Sequence, residues 1–156
     1  LERAGTGNLE EWDGKSFADS IQEESPHRDS LVLSQMAWCA QRSARWENYI
    51  CIETYHDSWH DYPDYMVFDL REDPHEQVNL AESRPDLVEK GKEILDSWKR
   101  DCLSTSRVQE DPKDTVMAEG GPLHSRMGGG VAYLERLEKT GRKEIADRLR
   151  AKYRVE

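Results

Sequence analysis

His56 and His60, with Asp57, Asp61 and Trp59 beside them, form the densest group of potential ligands in the chain. Two imidazoles four residues apart share one face of a helix, where they would grip zinc, with a glutamate after the first to activate water. Here Asp57 follows His56, and Tyr55 to Pro63 carries no helical apolar stripe, so the stretch reads as a polar loop between strands. Loops on a rigid scaffold often carry binding groups. In that role Trp59 supplies a flat apolar contact to a substrate and His60 a hydrogen-bond donor. A second group is Leu123-His124-Ser125-Arg126-Met127, bracketed by Gly120-Gly121-Pro122 and Gly128-Gly129-Gly130. Glycines allow a backbone to approach an anion closely, and Arg126, with His124 nearby, offers paired donors to sulfate or carboxylate. The same glycines also mark a flexible connection. Trp59, His60, His124 and Arg126 are therefore the candidate substrate contacts. No residue stands out as catalytic or as a metal ligand, and no Gly-x-Ser-x-Gly elbow accompanies the serines and histidines.

The elements that must position these groups follow from alternation and period. Leu31-Val32-Leu33 opens a strand. Trp38 to Trp46 and Tyr49 to Tyr55 form a hairpin about Glu47-Asn48. That turn places Arg42 opposite Glu53, an expected cross-strand charge pair contributing about 0.2 to 1 kcal/mol. It also places Ala44 opposite Cys51 and Cys39 opposite His56, so Cys39 and Cys51 cannot bond. Tyr65 to Leu70 reads as the last strand, stopped at Asp73-Pro74. Ser83 is placed to cap a helix from Pro85 to about Cys102, striped by Leu87, Val88, Gly91, Ile94, Leu95 and Trp98. Ser104 to Asp114 reads as a polar linker. Two tail helices follow, one lined by Val131, Leu134 and Leu137 and the other by Ile145, Leu149 and Tyr153, with Thr140-Gly141 between them. Leu1 to Gly5 reads as the last turn of a helix that begins upstream.

The expected fold is thus α+β: a small antiparallel sheet of about four strands packed by one helix, plus two short tail helices. Both hairpin faces carry apolar bulk, Ile50 and Ile52 on one, Ala44, Trp46, Tyr49 and Cys51 on the other, which calls for two covering layers. The tail helices, or a missing domain, are expected to supply the second.

Composition limits the function classes. The formal charge of −10 and pI near 5.0 argue against a nucleic-acid or anionic-membrane partner, since phosphate binding needs clustered, uncancelled Lys and Arg. No apolar run reaches the length of a membrane span. Charged residues make up 35% and mean hydropathy is −0.93, values of a chain with much surface, while five Trp and six Tyr speak for a packed core. An odd count of three cysteines without C-x-x-C spacing reads as reduced thiols, which favours a cytoplasmic setting.

The pattern Phe68-Asp69-Leu70, Asp73-Pro74, Glu76 and Asn79-Leu80-Ala81 resembles the segment near the C-terminus of sulfatases, in the alkaline phosphatase superfamily. Asp13-Gly14-Lys15-Ser16-Phe17 is similar to the family's Asp-Gly-x-Ser element, and Arg42-Ser43-Ala44-Arg45-Trp46 with Tyr49-Ile50 to its central hairpin. Glu119-Gly120-Gly121-Pro122 with Leu134-Glu135-Arg136-Leu137 resembles the tail of some bacterial members. The resemblance implies hydrolysis of a small sulfate ester by the parent protein, through a formylglycine made from a Cys-x-Pro/Ala-x-Arg cysteine and a divalent cation, calcium. That motif is absent after Cys39, Cys51 and Cys102, and the family's metal-binding acids have no counterpart. The resemblance therefore makes this chain the C-terminal subdomain, inactive alone, whose partner is a missing N-terminal catalytic domain. On that reading residues 1–30 connect to the catalytic domain, 31–103 are the sheet and helix, and 104–156 are linker, glycine-rich loop and helical tail. Related phosphodiester and phosphonate hydrolases share the C-terminal pattern, and a stand-alone protein-interaction module is the reading from another class.

Overall fold

The computed structural model describes residues 18–23, 28–122 and 129–155. The helix end at Leu1 to Gly5, the Asp13-Gly14-Lys15-Ser16-Phe17 element, and His124 and Arg126 lie outside the described residues. A short helix, α1 (Ala18–Glu23), precedes a four-stranded antiparallel sheet in the order β1 (Ser30–Gln35), β2 (Ala40–Trp46), β3 (Tyr49–His56) and β4 (Tyr65–Asp69). The long helix α2 (Pro85–Thr105) packs on one face, and α3 (Pro112–Ala118), α4 (Gly129–Lys139) and α5 (Lys143–Tyr153) complete an α+β architecture.

The hairpin register is the one its turn dictates: Arg42 faces Glu53 and Ala44 faces Cys51, with Glu47 taking the left-handed backbone (φ 45°) that a tight turn requires. Two details differ from the sequence expectation. A bulge between Ala40 and Gln41 shifts the pairing by one, so that His56 faces Ala40 instead of Cys39. The facing Arg42 and Glu53 also turn to other partners. Glu53 accepts hydrogen bonds from the Tyr55 and Tyr65 hydroxyls at 2.6 and 2.9 Å, while Arg42 reaches Asp111. All three cysteines are free, with Cys39 and Cys51 buried and Cys102 exposed.

The core under α2 gathers Ala44, Trp46, Cys51, Val67, Leu87 and Leu95, the residues that alternation and helical period assign to facing surfaces. Gly91 lies at its centre, where an added Cβ would sit 2.4 Å from the Cys51 Cβ, so helix backbone and strand touch directly. Helix α2 starts at Pro85 without a side-chain cap. Ser83 instead donates to the Leu80 carbonyl at 3.2 Å, and Arg84 occupies the cap position with its side chain paired to Asp86.

The Asp69 to Ala81 segment is ordered by its own side chains. Asp69 accepts from the backbone N–H of Arg71, and Asp73 accepts from Gln77 and Val78 at 2.7 and 2.8 Å. Asn79 then runs beside β4. Its Oδ1 accepts from the Val67 N–H at 2.9 Å, its Nδ2 donates to the Tyr65 carbonyl, and the Leu80 N–H donates to the Val67 carbonyl. One side-chain amide thus does the work of another strand.

The stretch read as a linker is partly helical. Helix α2 runs on to Thr105, and Asp111 caps α3 by accepting from the Lys113 N–H, with Pro112 in the first turn. Farther on, α4 and α5 pack as a hairpin through Leu134, Leu137, Ala146 and Leu149, turning at Gly141 (φ 78°). Val131, expected in that stripe, is 50% exposed. The hairpin does not cover the sheet face opposite α2. It packs at the sheet's end, on the loop between β3 and β4, because Trp59 and Asp57 give it both an apolar seat and a charged anchor.

Candidate functional site

Two buried carboxylates hold the C-terminal third to the sheet, and the loop bearing His60 lies at one of them. Asp57 follows β3 directly and is fully buried. Its Oδ1 accepts from the Trp59 N–H at 3.0 Å and from the Tyr153 hydroxyl, and its Oδ2 accepts from Lys152 Nζ at 2.6 Å. Burial and the bond to Asp57 raise the Tyr153 phenol well above its ordinary value, so it serves as a donor. The chain beyond Asp57 turns through left-handed backbone at Ser58, Trp59 and Asp61, with φ of 49°, 73° and 60°. Such conformations are costly for side-chain-bearing residues and persist where the surroundings enforce them.

Of the candidate contacts, Trp59 and His60 are adjacent in this loop but serve different sides of it. The Trp59 ring faces inward, 4.1 Å from the Tyr153 ring and so close to Gly130 that a Cβ there would fall 2.3 Å from the indole. His60 is exposed, stacked on Tyr62 at 5.4 Å with the rings 8° apart. Its Nδ1 lies 2.8 Å from the Asp57 carbonyl. A carbonyl only accepts, so Nδ1 carries the proton there and Nε2 is left as the ring's acceptor in the neutral form. Asp61 is tied to Arg148 of α5, which adds a second clamp on the loop.

His56 does other work. Its ring packs 5.2 Å from Tyr153 and against Gly121, whose backbone (φ 90°) leaves no room for a side chain. Nδ1 accepts from the Ser58 N–H at 3.0 Å, and burial lowers the imidazole's affinity for a proton. Ser58, His56 and Asp57 do not form a nucleophilic triad. The serine is buried, and the aspartate's bonds go to α5 and to the Trp59 N–H, away from the imidazole.

The other anchor is Arg42 with Asp111. Arg42 donates two parallel bonds to the carboxylate, at 2.5 and 2.6 Å, and both residues are buried. The guanidinium lies over Trp98 of α2, 5.0 Å from the ring centroid, and holds the Asp111 carboxyl down to about 2. Lys99 and Lys113 stand nearby, and with Arg42, Glu53 and Tyr55 they line a cavity of about 150 Å³. Sequence reasoning gives Arg42 the wrong partner. The Asp-Pro step at 111–112 marks a helix start, and nothing local to it points to a mate 69 residues away.

Among the described residues the donor sets do not fit calcium, and none of Cys39, Cys51 and Cys102 begins the Cys-x-Pro/Ala-x-Arg motif that formylglycine formation requires. Among the described residues no three His, Cys, Asp or Glu side chains gather around a common point. Burial pushes the Cys51 thiol up to about 11 and raises that of Cys39, which leaves both unreactive near neutral pH. Among the described residues no helix is long and apolar enough to cross a membrane. No family model matches the chain, and no curated protein matches it.

Proposed function

We propose that this chain is the C-terminal part of a sulfatase, completing its fold and shaping the entrance through which a small sulfate ester reaches a catalytic domain elsewhere in the parent protein. What supports the family reading is the ordered set of residues quoted from Arg42 to Ala81. The observation that supports a role at the entrance is the clamped loop: backbone held left-handed at three of four successive positions from Ser58 to Asp61, fastened from beneath by Asp57, with His60 on its exposed side. His60 would position substrate through its Nε2, which donates to a sulfate oxygen when both ring nitrogens carry protons, and take no part in bond breaking. Formylglycine and calcium, if the parent uses them, belong to the other domain. Phosphodiester or phosphonate hydrolysis by the parent is the nearest alternative chemistry.

Kinetics of the parent enzyme on an aryl sulfate test this reading. His60→Ala should raise KM with kcat little changed, as should Arg126→Ala if its loop reaches the same substrate. Unchanged KM in both variants would sink the entrance role. A parent that hydrolyses phosphodiesters and leaves sulfate esters untouched would sink the sulfatase assignment, whereas turnover of an aryl sulfate by the 156-residue chain alone would sink the claim that catalysis lies in another domain.

A further inference from the structure

The two edges of the sheet are finished differently. Beside β4, Asn79 and Leu80 take up backbone groups that a neighbouring strand would otherwise meet. Strand β1, among the described residues, pairs with β2 alone. Its sequence, Ser30-Leu31-Val32-Leu33-Ser34-Gln35, holds no charge, no proline and no glycine, and its pairing runs without a bulge. These are the devices that ordinarily stop an edge from pairing, and β1 lacks them. Leu31 and Leu33, on the face away from α2, are 36% and 48% exposed.

On the α2 side of this edge runs an open groove lined by Val32, Ile94 and Trp98. Strand and helix run in the same direction. Ser30 pairs with Trp46, which packs near Gly91 early in α2, and Ser34 pairs with Arg42, which lies over Trp98, two turns farther along the helix. The groove therefore has electrical polarity: Arg28, Lys90 and Glu93 stand toward its Ser30 end and Asp101 toward its Ser34 end.

We propose that β1 is a dimerisation edge, to which a second copy of this chain adds its own β1 antiparallel, joining two four-stranded sheets about a two-fold axis at Val32. Directly opposed residues of an antiparallel pair point to the same face. A two-fold at Val32 meets that condition. It sets Val32 against Val32 above the groove, and Leu31 of each copy against Leu33 of the other, so four leucines join on the opposite face. The same axis turns the second groove end for end. Its Asp101 then comes to the end that carries Arg28 and Lys90, an attraction that a parallel arrangement would forfeit.

Sedimentation velocity on the 156-residue chain over about two decades of concentration tests this. The mass should rise from 18.1 kDa to twice that value and stop there. Leu33→Lys, at a site exposed enough to leave the fold intact by circular dichroism, should weaken the dimer at least about tenfold, which is about 1.4 kcal/mol. The double variant Leu31→Lys, Leu33→Glu should restore it, because this register brings each new ammonium opposite a new carboxylate of the other copy, and added salt should weaken the restored dimer. A wild-type chain that stays monomeric, one that grows past a dimer, a dimer indifferent to Leu33→Lys, or a double variant that stays monomeric would each overturn the proposal.

Discussion

Replacing Asp111 by Asn should destabilise the protein by about 3 kcal/mol, the scale of breaking a buried ion pair from one side. The amide keeps the shape of the carboxylate and can still accept from the Lys113 N–H, so α3 keeps its cap. What goes is the charge that balances an arginine 7% exposed, and with it the acceptor for Arg42 Nη1; Nη2 keeps the retained Oδ1, beside Ser34 and the face of Trp98. Acidity gives an independent measure. Asp111 is held down to about 2 against an ordinary 3.8, chiefly by its hydrogen bonds to Arg42. A tenfold change in acid strength corresponds to about 1.4 kcal/mol, so the ionised carboxylate contributes roughly 2 kcal/mol. Because the folded value lies below the unfolded one, this contribution is complete above about pH 4 and is lost as pH falls toward 2. Urea unfolding followed by tryptophan fluorescence at neutral pH and along that acid limb would measure both effects. The wild type should lose its increment between those limits, whereas Asp111→Asn should start low and lack the increment. Adding Arg42→Met to Asp111→Asn should recover part of the loss, since no charge then remains buried without a mate. A loss below about 0.5 kcal/mol, or an acid limb identical in both proteins, would refute the reasoning.

Gly91→Ala should cost about 1 to 3 kcal/mol despite alanine's better helix propensity, because the new methyl would fall within 2.6 Å of both Cys51 Cβ and Sγ; a urea midpoint at or above wild type would contradict this. Asp57→Asn should loosen the α4–α5 hairpin by leaving Lys152 without its carboxylate, measured as faster trypsin cleavage within residues 129–155, and unchanged cleavage would count against the anchor. In native protein a disulfide reagent should label Cys102 quickly and reach Cys39 and Cys51 only on unfolding; rapid reaction at either buried thiol would show that its pocket opens.

The sheet and its long helix are legible in the sequence because their signals are local. A two-residue turn at Glu47-Asn48 fixes which hairpin residues oppose each other, and a helical stripe from Leu87 to Trp98 fixes the face turned to the sheet. The bulge beside Ala40 is not legible, since one extra residue leaves no mark in the alternation around it. Partnerships across the chain are equally hidden. Asp57 meets Tyr153 over 96 residues and Arg42 meets Asp111 over 69, and sequence offers many equally charged alternatives at such distances. Glu53 is the acid that the hairpin register sets beside Arg42, but two tyrosine hydroxyls already occupy its carboxylate. The loop at His60 does lie between strands, as its composition indicates. Its inward and outward sides, Trp59 and His60, depend on where the tail hairpin docks, and periodicity gives no information about docking.

The bare contact at Gly91 has a mechanical consequence. With backbone resting on Cys51 there, and Leu87 and Leu95 buried one turn to either side, α2 sits on the sheet as a beam on a pivot between two wedges. Changing the bulk of one wedge would tilt the beam before it lifted it. The far arm carries Trp98, whose ring lies under Arg42, and Lys99, which reaches Asp111. A shortened Leu87 would therefore be felt as a displaced ion pair at the opposite end of the helix.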